Sequence, residues 1–193
     1  MIYPVKNYLK EWNNSAGYDY NQLTASGQRH DGKDINDNGS GNSDLGKPLY
    51  AIADGTPVGI HNHTGKGNFG NHFFLQIDGA WGTRYVHYAH CKDLYVKTGI
   101  KVKEGDKIAT VGNSGTEYAH CHFAVKKKAN GMDTVAYSPA ALSDAWEDPI
   151  AFIEKWMTIA LTDDVWLNKV RKIIDEDGTP HDKRIKIEAL PKA

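Results

Sequence analysis

Between positions 48 and 125 the chain carries six short runs of β-branched and aromatic residues, at 49–53, 58–60, 72–77, 84–90, 108–111 and 119–125, with glycines and other turn formers between them. Short runs at spacings of about 8–15 residues, broken by turn signals, read as an antiparallel β domain. Gly79-Ala80-Trp81-Gly82 has the composition of a hairpin connection, and Glu104-Gly105-Asp106 that of a second turn. The segment 30–46, rich in Asp, Asn, Gly and Ser, reads as a loop. Helical signals flank the β region. A short helix is expected around 5–12. Asp148-Pro149 resembles an N-cap followed by proline at the first helical position, and Ile150, Ile153 and Met157 recur at helical spacing. A second helix is expected from Thr162, with Asp163 and Asp164 in its first turn, and it ends before Gly178. The fold class is therefore mainly β with helical extensions: an antiparallel β-sheet core with a substrate groove, and C-terminal helices.

Composition removes several function classes. The formal net charge is −1 and 24% of residues are charged, so no basic field for nucleic acid is present. The longest basic run, Lys126-Lys127-Lys128, reads as solvated surface. No apolar stretch approaches the roughly 20 residues that span a bilayer. The N-terminus lacks a basic region followed by an apolar run, so no signal peptide is visible. Two cysteines, Cys91 and Cys121, form neither a disulfide framework nor a CxxC pair, and both read as buried thiols.

The nine histidines carry the chemistry. His120 and His122 stand two residues apart in a strand, where side chains at i and i+2 share a face roughly 6–7 Å apart. Cys121 between them then points to the opposite side. His30 and Asp34 form an HxxxD spacing in which imidazole and carboxylate can converge on one ion, with Asp31-Gly32 expected to turn the chain back between them. Zinc takes such nitrogen and oxygen ligands, and catalytic sites use three of them and keep one position open. His30, Asp34 and one histidine of the HxH pair make that count. His90 ends the strand Tyr88-Ala89-His90, a position that suits a site rim.

In this order the motifs resemble the lysostaphin-type and LytM-type metallopeptidases, peptidase family M23. The resemblance runs from His30 to Val125. It rests on His-Asp-Gly-Lys-Asp-Ile at 30–35, Gly-Lys-Pro-Leu-Tyr-Ala-Ile-Ala-Asp-Gly-Thr-Pro-Val at 46–58 and Gly-Asn-His-Phe-Phe-Leu-Gln-Ile at 70–77. Tyr-Ala-His at 88–90, Val-Lys-Glu-Gly-Asp-Lys-Ile-Ala-Thr-Val-Gly-Asn-Ser-Gly at 102–115 and His-Cys-His-Phe at 120–123 complete it. The resemblance implies that His30, Asp34 and His122 hold one Zn²⁺ ion, that His90 and His120 assist catalysis, and that the substrate is a bacterial peptidoglycan peptide. Lys33 departs from the pattern, which is usually apolar there. The glycine-rich segment upstream of His30 is poorly formed. For a tyrosine that stabilises the intermediate in some members, Tyr18 and Tyr20 are the nearby candidates. The chain is accordingly divided into an extension at 1–29, a peptidase domain at 30–157 and a helical extension at 158–193, the last outside the resemblance.

Other readings of the same residues are weaker. His61-Asn-His63 is a second HxH in a stretch that reads as a loop at the groove rim. Asp34-Ile-Asn-Asp-Asn-Gly39 mimics an EF-hand start, but position 12 would be Leu45 instead of a bidentate Glu. A sugar-phosphotransfer domain with two facing histidines leaves HxxxD unexplained. A catalytically inactive binding or regulatory module of the same family is the main alternative to an enzyme. A wall-cutting enzyme without a signal peptide suggests an antibacterial phage endolysin or virion component, released by lysis machinery or injection.

Overall fold

A computed structural model describes residues 1–12, 17–62, 69–129 and 138–162, with side chains described as far as 159. The chain divides into two compact units, Met1–Phe152 and Ile153–Ala193. Among the described residues the elements are α1 (Tyr8–Glu11), β1 (Gly32–Ile35), β2 (Pro48–Tyr50), β3 (Thr56–His61), β4 (His72–Gly79), β5 (Gly82–Ala89), β6 (Lys107–Thr110), β7 (Cys121–Lys126), α2 (Pro139–Ala145), β8 (Trp146–Glu147) and α3 (Pro149–Thr162). The main sheet is antiparallel in the order β1-β7-β5-β4-β3, with β8 also paired to β7, and β2 and β6 form a separate ribbon.

All six runs become strands because each can bury one side of a pleated surface. The register assigns two faces. Ile35 pairs with Cys121, and Phe123 with Tyr88 and through it with Phe73, so these apolar side chains share one face. Phe73 and Tyr88 stack with ring centroids 5.1 Å apart. That face packs toward the β2–β6 ribbon. The buried Tyr88 hydroxyl makes the link, accepting from Ile52 N–H at 3.2 Å and donating to the Tyr50 carbonyl at 3.0 Å. Both cysteines are free and fully buried, and alternation along β7 puts Cys121 on this side. Burial pushes both thiols well above their usual range, so both stay inert.

The opposite face carries Asp34 and His122 in register, then Ala124, His87, Phe74 and Val58 in the next row. Its lower half is closed by a small core in which Leu142 and Trp146 pack on Phe74 and Ala124, with Tyr20 at the edge. Its upper half stays open, and the histidines lie there.

Several expectations are corrected. Segment 30–46 is not all loop: β1 lies inside it, because pairing with β7 satisfies its backbone although its Gly-Lys-Asp composition is poor for a strand. Asp31-Gly32 therefore enters an extended strand and does not turn the chain back. The helix expected at 5–12 shrinks to Tyr8–Glu11. Sequence reading missed α2, although Ser138 accepts from Ala141 N–H as its N-cap and Pro139 follows. Lys126 is not solvated: it is 1% exposed, with its ammonium 4.7 Å from the centre of the Trp146 ring. Lys127 and Lys128 do lie outside, donating to Ser143 and Asp144. Asp148 caps α3 as expected, accepting from Ile150 and Ala151 N–H at 2.9 and 3.1 Å. The second C-terminal helix, His63 and His181 lie outside the described residues. No helix among the described residues is long and apolar enough to cross a membrane.

Candidate metal centre and groove

The open half of the sheet forms the floor of a groove of about 800 Å³. His30, Asp34, His90, His120 and His122 all line it, together with Tyr18, Phe69 and His72. Asp34 and His122 face one another across the β1–β7 pair. His30 precedes β1, anchored by its N–H to the Gln22 carbonyl and by its carbonyl to Asn21 N–H. Its ring then reaches over the strand. Three ligand atoms converge: His30 Nε2 lies 3.0 Å from His122 Nδ1 and 3.1 Å from Asp34 Oδ1, and His122 Nδ1 lies 3.3 Å from Asp34 Oδ1. Tetrahedral zinc with bonds of ~2.0–2.1 Å separates its ligand atoms by ~3.3 Å. The observed triangle is that size, and the two-nitrogen, one-oxygen set suits zinc.

Each ligand side chain is also held from behind. His30 Nδ1 faces the Asp19 carbonyl at 3.2 Å. A carbonyl only accepts, so Nδ1 carries the proton and Nε2 keeps its lone pair for the ion. Asp34 Oδ2 accepts the Tyr18 N–H at 2.9 Å, leaving Oδ1 for the triangle. This approach requires Gly17: at φ +90 a Cβ there would lie 2.6 Å from Asp34 Cβ. His122 Nε2 approaches Asp31 Oδ1 at 3.1 Å, an ion-pair contact short of ideal hydrogen-bond geometry.

The electrostatics follow from this packing. Burial alone would raise the Asp34 carboxyl, but His122 and His30 more than offset it and hold it far below the usual range. Burial would lower His122, yet Asp31 and Asp34 on its two nitrogens raise it to about 10. A divalent cation would take the place of that proton between the same carboxylates.

His90 and His120 sit beside the triangle, with ring centroids 4.7 Å apart. His90 Nδ1 donates to the Ser114 carbonyl at 2.8 Å, and His120 Nδ1 to the Tyr118 carbonyl at 3.0 Å. Both rings thus hold Nε2 as the acceptor nitrogen. Burial, followed by the neighbouring His120 and His122, pushes His90 down to about 3, so it stays neutral. Burial also lowers His120. His90 lies one residue past β5 with φ 57, a conformation few side chains adopt. That break lets His90 join the face of the sheet that carries His87, three residues earlier. His87 is fully buried, stacked on Phe74 at 4.1 Å and 5.6 Å from the His122 ring. Gly70, at φ +58, passes so close to Ser114 that a Cβ would lie 2.0 Å from the carbonyl holding His90.

His61 ends β3, exposed at the groove rim and stacked on His72 at 4.7 Å. Of the two tyrosine candidates, Tyr18 lines the groove, whereas the Tyr20 hydroxyl donates to the Trp146 carbonyl at 3.3 Å, below the open half. Sequence reading missed Asp31, Tyr18 N–H and Ser114 as supports.

A β-sheet floor presenting a His/Asp donor triangle beside two imidazoles is an arrangement that could hold one metal ion with proton acceptors next to it. The sequence model of peptidase family M23 matches residues 28–134, more than half of the chain, and the chain belongs to that family. Among curated relatives it is similar to lipoprotein NlpD of Yersinia enterocolitica, 31% identical over 94 residues, covering 49% of this chain and 92% of that protein. It is also similar to peptidoglycan DD-endopeptidase ShyA of Vibrio cholerae, 28% identical over 158 residues, 79% of this chain and 33% of ShyA. The chain thus spans about a third of ShyA and nearly all of that lipoprotein. Among solved structures, it resembles the catalytic domain of the antimicrobial peptidase lysostaphin from Staphylococcus simulans (TM-score 0.50, 26% identity, 72% of this chain, 90% of that one). It likewise resembles LytU (TM-score 0.50, 29% identity, 72% of this chain, 83% of that one).

Proposed function

We propose that this chain is a zinc-dependent endopeptidase that hydrolyses peptide cross-links of bacterial peptidoglycan, with residues 30–157 as its peptidase domain. His30, Asp34 and His122 hold one zinc ion, and His90 and His120 assist the reaction. The single observation behind this reading is the donor triangle at the groove floor, with its three ligand atoms within 4.8 Å of one another. The ShyA relationship supports the substrate class.

A bound zinc ion supplies Lewis acidity for the scissile carbonyl and makes water a nucleophile near neutral pH. The chain's own residues do the rest. The groove positions an extended peptide over the triangle. One Nε2 of the His90–His120 pair takes a proton from the nucleophile, the imidazolium so formed hands that proton to the leaving amine, and the other imidazole lies beside the developing oxyanion. The Ser114 and Tyr118 carbonyls keep both rings in the required tautomer.

The test is metal content against activity in five variants. Alanine at His30, Asp34 or His122 removes stoichiometric zinc. Alanine at His90 or His120 leaves zinc bound and lowers hydrolysis by about 10²–10⁴-fold. Loss of zinc from His120→Ala with retention in His122→Ala would overturn the assignment. A second reading, a non-catalytic module, draws on the 30% identity over 94 residues to the murein hydrolase activator NlpD of Salmonella typhimurium. It predicts no hydrolysis by zinc-loaded protein.

A further inference from the structure

We propose that Asp31, in the spacer between the two metal ligands of the HxxxD motif, is the positioning residue that orients His122 for the ion. This rests on the metal-site reading above. Asp31 is 4% exposed, and the polar contact described for it is Oδ1 to His122 Nε2 at 3.1 Å, its other oxygen being buried without a hydrogen-bond partner. A carboxylate taken out of water at that cost needs a compensating charge. The imidazole supplies part of it, and the ion behind the imidazole supplies the rest.

Two further observations point the same way. First, the other two ligands are each oriented by backbone: His30 by the Asp19 carbonyl and Asp34 by the Tyr18 N–H. His122 faces a side chain instead, and a charged one. A carboxylate beside Nε2 favours the proton on that nitrogen, which leaves the lone pair on Nδ1, the nitrogen in the triangle, and makes it a better donor. Second, the charges balance. Asp31 and Asp34, 4% and 5% exposed, are two buried carboxylates on one site, matching a divalent ion once the histidines are neutral. Removing Asp31 leaves the loaded site with an unbalanced positive charge.

The geometry also explains why Asp31 is not itself a ligand. It approaches the far nitrogen of His122, on the side of the ring away from the triangle. β1 begins at the next residue, so the strand that places Asp34 in the triangle also sets Asp31 behind its partner ligand.

The experiment is a competition titration of zinc against a chromophoric chelator, using the full chain and its Asp31→Asn, Asp31→Ala and His122→Ala variants. Visible spectra of the cobalt-substituted proteins report ligand geometry without reference to activity. Asp31→Ala is expected to weaken zinc by about 10–100-fold and to alter the cobalt spectrum. Asp31→Asn, which keeps a neutral acceptor, falls between it and wild type. Wild-type zinc affinity in Asp31→Ala overturns the inference; if that variant does not fold, wild-type affinity in Asp31→Asn does so. If His122→Ala binds zinc as wild type does, the site assignment itself fails. Loss in His122→Ala beside no change in Asp31→Asn would sink the role of Asp31 alone.

Discussion

Asp44→Asn should stabilise the protein at neutral pH, and only there. Asp44 is 1% exposed, and neither carboxylate oxygen has a hydrogen-bond partner. Burial pushes its pKa up from 3.8 to about 6; the Asp37 charge adds to this, and Lys47 opposes it. A raised carboxyl pKa means that the folded state binds the extra proton. Stability contributed by that proton is full below about pH 4, falls as pH rises toward about 6, and is absent above. Two units correspond to on the order of 3 kcal/mol as an upper figure. The isosteric amide never ionises, so it escapes the penalty. The assay is urea unfolding of wild type and variant, in chelator, from about pH 4 to about pH 8. Their stability difference should be near zero at the acid end and grow to about 1–3 kcal/mol in favour of the variant by neutral pH. A difference that does not change with pH, or a variant less stable at neutral pH, would refute the reasoning.

Three other expectations come from single contacts. Tyr88→Phe leaves the Ile52 N–H and Tyr50 carbonyl without their buried partner, so urea unfolding should show a loss of about 1–3 kcal/mol. Gly70→Ala drives a methyl into the Ser114 carbonyl that holds His90, so hydrolysis should fall by about 10²-fold while zinc content, read by metal analysis, stays stoichiometric. Gly17→Ala pushes on Asp34 from behind, and chelator competition should show weakened zinc binding with His90 and His120 untouched.

The strands were readable because the runs carrying Phe73, Tyr88 and Phe123 are rich in β-branched and aromatic residues and are bounded by turn formers; they do not alternate, and β7 is buried along its whole length. β1 was not readable: Gly32, Lys33 and Asp34 have low strand preference, and only the partner β7 makes them a strand. Lys126 looked like surface because its charge is visible in sequence and the Trp146 ring that covers it is 20 positions away. In the site, His120 and His122 followed from alternation within one strand, and His30 and Asp34 from their spacing. Choosing His122 from the pair as the third ligand needed the family resemblance, since it depends on the β1–β7 register. Asp31 read as a turn former because sequence does not show that the far nitrogen of His122 lies against it. Tyr18 contributes a backbone N–H, which no side-chain pattern reveals.

The most direct test of the central claim is digestion of purified peptidoglycan from two wall chemistries by the zinc-loaded protein, with and without chelator, and products identified by mass spectrometry. The account predicts cleavage at a cross-link peptide bond, abolished by chelator and restored by zinc. Absence of cleavage in both walls by protein shown to carry one zinc per chain would contradict it and favour the non-catalytic module.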